Sequence, residues 1–126
     1  MSVLVDSSVW IDYFRASNGQ ADDLDFLIDE NLVVVNDLIL SEIVPALHIR
    51  RKRALIRLLG EVSKQPMTID WPDLIQMQVT CLRNGINRIG IPDLIIAQHA
   101  TQNGLRLFTL DGHFRLVAEH SPLELY

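Results

Sequence analysis

Val3-Leu4-Val5-Asp6-Ser7-Ser8-Val9-Trp10-Ile11-Asp12-Tyr13-Phe14 is the stretch on which the reading of the fold turns. Val3-Leu4-Val5 is a short, partly β-branched apolar run that predicts a buried strand, and it closes on an acid. From Ser7 to Arg15 the apolar residues Val9, Trp10, Tyr13 and Phe14 lie on the faces of a predicted helix. Strand, polar turn and helix follow one another without a spacer, which is how a βα unit begins. Further along, Leu32-Val33-Val34-Val35 is a continuous apolar run of the kind buried on both faces of a sheet, and Asn36-Asp37 behind it are helix-starting residues. Leu105-Arg106-Leu107-Phe108-Thr109 predicts a late strand, Asp111-Gly112 a turn, and Phe114 to Ala118 a brief helix.

The segments between these units complete an alternating pattern. Asn18-Gly19 predicts a loop and Ala21 to Asp29 a helix. A third helix carries Glu42, and Pro45 should bend or restart it, because proline removes a backbone donor and crowds the preceding turn. Ala54 to Val62 continues as helix, Met67-Thr68-Ile69 predicts a short strand, and Trp71-Pro72 opens a helix to about Leu82, ended by Asn84-Gly85. Ile89-Gly90-Ile91-Pro92 predicts an extended entry into a helix from Asp93 to Ala100, stopped by Asn103-Gly104. Pro122 precedes a last predicted strand, Leu123 to Tyr126. Strands alternating with helices predict an α/β fold with a mainly parallel sheet covered on both faces.

Composition narrows the function classes. A chain of 126 residues with 48% hydrophobic and 21% charged residues is expected to form one domain, residues 1–126, with a real core and no staples. Cys81 is the only cysteine, so neither a disulfide framework nor a cysteine-rich metal site is expected. The opening residues meet an acid where a signal peptide would stay apolar, and no stretch is long enough to span a membrane, so a cytoplasmic protein is the expectation. The net charge of −5 argues against holding nucleic acid by bulk electrostatics. Its distribution qualifies that: of 11 Lys and Arg, five are Arg50, Arg51, Lys52, Arg53 and Arg57, with His48 just before them. Such a run is either a solvated helix face or a strip that contacts phosphates.

In open parallel sheets, ligands bind beyond the carboxyl ends of the strands. The acids at those ends are Asp6, Asp111, Glu42 on the helix after the second strand, and Asp93 at a helix start. Singly, each has a structural explanation: Asp6 and Asp93 are placed as helix N-caps, Asp111-Gly112 is a turn pair, and Glu42 is a helical surface acid. Together they demand more, because a parallel sheet brings strand ends within about 5 to 10 Å. Two unit charges about 4 Å apart repel by roughly 4 kcal/mol at an effective dielectric near 20, so clustered carboxylates either protonate or hold a cation. All-oxygen donors without His or Cys favour Mg²⁺ or Mn²⁺ over zinc, and such sites suit phosphoryl transfer. His48, His99, His113 and His120 have no metal-ligand spacing and read as structural or solvated. Trp10, Tyr13 and Phe14 read as a packing face.

At these residues the chain resembles the PIN domains, and among them the VapC toxins of toxin–antitoxin pairs. VLVDSSVWIDYF is similar to their first-strand signature, IGIPDLIIAQHA with NGLRLFTLDGHF to their paired C-terminal signature, and Glu42 in LILSEIVPAL to their helical glutamate. The resemblance covers essentially the whole chain. It implies a PIN-like three-layer fold in which Asp6, Glu42, Asp93 and Asp111 bind metal (Mg²⁺ or Mn²⁺) and carry catalysis, with Ser8 and Thr109 as polar supports. It further implies hydrolysis of single-stranded RNA by water, a homodimer, and neutralisation by a cognate VapB-type antitoxin. Arg50, Arg51, Lys52 and Arg53 are the RNA-binding candidates. One departure stands out: related domains often carry an acid two residues after the last catalytic Asp, where this chain has His113.

Two readings from other classes compete. A phosphoacceptor regulatory domain should show an acidic pair at its first strand and a lysine at its last, but here Asp6 stands alone and Lys64 is the last lysine. An aspartyl phosphatase should have a second acid two residues after Asp6, where Ser8 stands. A non-catalytic PIN-like binding module is the remaining alternative.

Overall fold

The computed structural model describes residues 2–15 and 19–126. The elements run β1 (Val3–Val5), α1 (Ser7–Phe14), α2 (Gly19–Asp29), β2 (Val33–Val35), α3 (Asp37–Ile49), α4 (Arg53–Glu61), β3 (Ser63–Lys64), α5 (Trp71–Arg83), α6 (Ile91–Gln102), β4 (Arg106–Phe108) and α7 (His113–Ala118). The strands form one sheet in the order β3-β2-β1-β4, and every pairing is parallel. The chain therefore builds outward from β1 to β3, then returns to pair β4 on the other side of β1. That reversal makes the β1/β4 boundary the topological switch point, the place where open α/β sheets leave a crevice for ligands. The crossovers from β1 to β2 and β2 to β3 run one way along the sheet and that from β3 to β4 runs back, so the right-handed rule for such connections assigns α1 to α4 to one face and α5 and α6 to the other, three layers in all.

Burial explains why strands this short suffice. All of β1 and β2 is buried, as are Leu107 and Phe108 of β4. The core is completed by Trp10 and Val9 of α1, Leu24 and Leu27 of α2, Ile39 and Ile43 of α3, Leu94, Ile96 and Ala97 of α6, and Phe114 of α7. From Ile96 to Ala100 every residue of α6 is buried, Gln98 and His99 included. A helix enclosed on all sides must satisfy its polar side chains internally. Gln98 accepts from the Asp70 backbone N–H (3.1 Å) and donates to the Asp70 carbonyl (2.9 Å) and the Asp73 carboxylate (2.7 Å), which clamps α5 to α6. Asn36 Nδ2 donates to His99 Nδ1 (2.8 Å), so His99 carries its proton on Nε2 and donates it to the Pro66 carbonyl (3.3 Å). Burial holds the His99 pKa below the ordinary histidine value, in keeping with a neutral ring.

Several local expectations are corrected. Met67-Thr68-Ile69 is not a strand; β3 is Ser63–Lys64, with Val34 facing Ser63 and Val35 facing Lys64. Both β3 residues are exposed at the sheet edge, so no apolar pattern marks them, while Ile69 packs against the core as irregular chain. Pro45 does not interrupt α3; it lies on the exposed side, where a carbonyl deprived of its helical donor can bond water. Helix α6 starts at Ile91 with Gly90 as its N-cap, so Asp93 is the third residue of the helix and not its cap. The last predicted strand reduces to one parallel bridge, Leu107 to Leu125. Of the predicted Asn18-Gly19 loop, Asn18 lies outside the described residues and Gly19 begins α2.

Four helices end on the same backbone device. In each, a residue in the left-handed region follows the helix: Asn31 after α2, Arg51 after α3, Gly85 after α5 and Gly104 after α6. The next N–H then reaches back five residues, as in Leu32 to Leu27, Lys52 to Leu47, Ile86 to Cys81 and Leu105 to Ala100. This is the Schellman closure, which favours glycine and tolerates asparagine. Arg51, at φ 55°, is the exception. Arg51→Gly should therefore raise stability by on the order of 1 kcal/mol or less, read as a higher denaturation midpoint. A midpoint equal to or below that of the parent would show that Arg51 makes compensating contacts.

Candidate active site

The register of β1 against β4 builds the centre of the site. Val5 pairs with Phe108, and the Asp6 N–H donates to the Phe108 carbonyl (2.9 Å), so Asp6 and Thr109 leave the sheet side by side. Thr109 Oγ1 donates to Asp6 Oδ2 (2.9 Å), and Ser8 Oγ donates to the same oxygen (2.7 Å). Each hydroxyl is aimed by a backbone donor: Leu110 N–H to Ser8 Oγ (3.0 Å) and Asp111 N–H to Thr109 Oγ1 (3.0 Å). The hydroxyls lie 3.3 Å apart, but each has one proton and each spends it on Asp6. Asp6 occupies the N-cap position of α1, yet its side chain makes no capping bond. Its carboxylate, in a residue only 4% exposed, is committed to the hydroxyl pair, with Oδ1 left outside those bonds.

The other three acids surround Asp6. Burial, then the charges of Asp6 and Asp93, raise the Glu42 pKa above the ordinary glutamate value, against a hydrogen bond from Ser7 that lowers it. Glu42 is accessible at the rim of the site, with one side packed closely enough for desolvation to act. Asp93 is likewise raised by burial and then by Asp111 and Asp6; a backbone bond at Gly90 and the neighbouring His113 oppose the rise. Asp93, in the third helical position, stands close enough to the Gly90 backbone for that group to favour its charged form. Asp111 Oδ1 accepts from the His113 N–H (2.9 Å) and from His113 Nδ1 (2.9 Å), which fixes the ring with its proton on Nδ1.

Asp6, Glu42, Asp93 and Asp111 thus share one electrostatic neighbourhood, with Ser8 and Thr109 at its centre. Among the described residues, no three His, Cys, Asp or Glu side chains converge in a metal-ligating group. Uncompensated carboxylates stand apart for the reason given by Coulomb's law, and the donor set is all oxygen, as a hard divalent cation requires. Ser7 and His113 were not singled out as site residues: Ser7 reads as a helix-start serine until Glu42 is folded onto it, and His113 has no ligand spacing. His99 is structural, and His48 and His120 are exposed. The basic run divides. Arg50 and Lys52 line a cleft of about 410 Å³ that Glu42 also lines, whereas Arg51 and Arg53 do not.

The sequence pattern of the PIN domain matches residues 3–120. The chain belongs to the PIN domain family. No curated protein sequence matches it, but solved structures do. VapBC2 from Rickettsia felis, bound to a DNA fragment from its promoter, superposes with a TM-score of 0.78 at 16% identity, covering 100% of this chain and 98% of that one. FitAcB from Neisseria gonorrhoeae gives 0.70 at 21% identity, covering 98% and 96%. VapC20 from Mycobacterium tuberculosis, described as a sarcin–ricin loop cleaving toxin, gives 0.63 at 20% identity, covering 97% and 98%. At these identities the likeness is one of fold. The fold itself is the expected PIN architecture, and the family excludes the phosphoacceptor reading. Among the described residues no helix is long and apolar enough to cross a membrane.

The raised Glu42 pKa has a sign that can be measured. A carboxyl whose folded value lies above its unfolded value contributes stability below the unfolded value, near pH 4, and loses it as pH rises through the folded value. At neutral pH without divalent ions Glu42 therefore opposes folding. Glu42→Gln in EDTA should melt higher than the parent at pH 7, and the gap should close by about pH 4. A gap that is absent at pH 7 or persists unchanged in acid would remove Glu42 from the repelling group.

Proposed function

We propose that this PIN domain is a metal-dependent endoribonuclease, the VapC-type toxin of a toxin–antitoxin pair, which hydrolyses phosphodiester bonds in single-stranded RNA. The observation that carries the reading is Asp6. A carboxylate at a helix N-cap would ordinarily cap its helix, a contribution of about 1 kcal/mol. Here the cap is given up and the side chain is held instead by two hydroxyls at the switch point, amid the charges of three further acids.

Asp6, Glu42, Asp93 and Asp111 would hold Mg²⁺ or Mn²⁺ when it is bound, and such an ion activates water and neutralises charge on phosphate and leaving oxygen. The chain's own residues do the rest. Ser8 and Thr109 fix the Asp6 carboxylate so that no rotamer search precedes ligand binding, and they do so without a cation that would cancel its charge. His113 orients Asp111 in the same way. Glu42 and Asp93, whose pKa values are raised by burial and then by neighbouring acids, are the groups whose ionised form a bound cation would favour. The reaction needs no covalent enzyme intermediate. A cognate VapB-type antitoxin and a second copy of the chain are the proposed protein partners, by analogy with the VapBC structures that share the fold.

One observation favours a second reading, the non-catalytic PIN module: the acids do not converge as they stand. Asp93→Asn separates the two. Because Asp93 is not the helix cap and Asn keeps its shape, the variant should fold with a melting temperature near the parent's. Its Mg²⁺- or Mn²⁺-dependent cleavage of single-stranded RNA should fall at least a hundredfold, about 3 kcal/mol in the barrier. EDTA should abolish cleavage by the parent. Parental cleavage by a folded Asp93→Asn protein, or full activity in EDTA, would contradict the proposal.

A further inference from the structure

A cleft of about 410 Å³ lies beside the carboxylate cluster, between α1, α3 and α4. Its size falls in the range of roughly 300–1,000 Å³ typical of clefts that enclose small-molecule-sized ligands. Its lining is largely apolar, with Ile11, Phe14 and Leu55 among its residues, and it also includes the cations Arg15, Arg50 and Lys52. Phe14 packs one side of its ring near Trp10, centroids 5.9 Å apart, and still reaches the cleft. Ile11, on the same helix, is 42% exposed. Among the described residues of the lining the one acid is Glu42, and Glu42 also belongs to the carboxylate cluster. Cleft and cluster are therefore continuous through one side chain.

The backbone between α3 and α4 explains why Arg50 and Lys52 face the same space. Arg50 is the C-cap of α3 and Lys52 the N-cap position of α4, with left-handed Arg51 between them. The reversal at Arg51 presents the two flanking cations to the cleft and leaves Arg51 itself out of it. A non-glycine residue kept in this conformation costs energy, and such strain is retained where the geometry it imposes has a use.

We infer that the cleft is a nucleotide subsite. It takes the nucleotide next to the phosphate being cut, with the base over Ile11 and Phe14 and the backbone phosphate among Arg15, Arg50 and Lys52. The inference rests on the ribonuclease reading above and says which part of the substrate lies beside Glu42. Charge complementarity selects the occupant. On a protein of net charge −5, three cations lining one largely apolar cleft match a ligand that carries an apolar π-face and a fixed negative charge in each repeating unit. A strand seated there runs directly from the cleft onto the acids.

The test compares two double variants that remove the same charge. Binding of a fluorescent single-stranded RNA is followed by anisotropy in EDTA, across a salt series, so that no cleavage is needed. Arg50→Ala with Lys52→Ala should weaken binding at least tenfold at low salt and reduce the slope of log affinity against log salt by roughly 0.7, for the one phosphate the subsite neutralises on a single strand. Arg51→Ala with Arg53→Ala should stay within about twofold of the parent. The base contact is read with an oligonucleotide that is abasic throughout: the parent should prefer the base-bearing strand, and Phe14→Leu should erase most of that preference. Should Phe14→Leu unfold the domain, Ile11→Ala at the exposed position reads the same difference. Equal weakening by the two double variants would overturn the subsite in favour of general electrostatics. Parental RNA binding by Arg50→Ala with Lys52→Ala would overturn it in favour of a protein occupant. Loss of the nuclease reading would appear elsewhere, as absent metal-dependent cleavage by a parent protein that still binds RNA through the cleft.

Discussion

The pairing of β1 with β4 is the constraint on which the rest of the molecule depends. It joins residues about a hundred positions apart, Val5 to Phe108, through a ladder of three residue pairs. Closing a loop that long is entropically costly, and strands of three residues cannot meet the cost by backbone bonds alone. The apolar surface supplies the remainder: β1 is fully enclosed, and α6 threads the core with polar side chains that find partners inside it. The same register that satisfies the core also delivers Asp6 and Thr109 to one point. Fold and site are two consequences of a single alignment, and a one-residue slip of β4 would lose both, because it would swap Leu107 and Phe108 between the two packed faces and carry Thr109 away from Asp6.

Within the site, neutral support is set against like-charge repulsion. The buried Asp6 carboxylate is held by two hydroxyls whose own oxygens are satisfied by Leu110 and Asp111 N–H groups. Had an arginine or lysine held it, the ion pair would have cancelled the Asp6 charge that the neighbouring acids feel. Hydroxyls orient without neutralising. The unrelieved charge is visible at Glu42 and Asp93, both pushed towards protonation in part by their neighbours. Forgoing the N-cap bond at Asp6 belongs to the same pattern, in which a local rule of helix stability is broken at the position where charge is wanted.

Much of this could be read from residue order, and the misses have physical causes. β1, β2 and β4 are apolar runs because they are buried on both faces, so burial writes them into the sequence. β3 is two exposed polar residues on an edge, held by backbone bonds to β2, and such a strand leaves no side-chain signature. Pro45 and the start of α6 were misplaced for a related reason: local preference cannot tell whether an orphaned carbonyl will meet water, or whether Ile91-Pro92 will begin a helix with Gly90 as its cap. The four acids were identifiable as strand-end and helix-start residues of a parallel sheet. Their mutual distances were not, nor was the division of the basic run, which depends on the left-handed turn at Arg51. The low identity to structures of the same fold, 16% to 21% among those compared, makes the same point from outside. Pattern specifies the architecture, and chemistry has to be argued from the residues at its strand ends.

His113 carries that argument one step further. Where related domains often place a further acid, this chain places a ring whose Nδ1–H and backbone N–H both bond Asp111 Oδ1. A carboxylate there would add another charge within reach of Asp93 and Asp111, and each such pair at about 4 Å costs roughly 4 kcal/mol at an effective dielectric near 20. Such a cost is met when cations are numerous enough to offset it. With His113 the site keeps its four acids and gains a donor, and the ring opposes slightly the rise that burial, Asp111 and Asp6 impose on the Asp93 pKa. The substitution shifts the balance of the site towards fewer charges held more firmly, so that Asp111 is oriented by the protein before any ligand arrives.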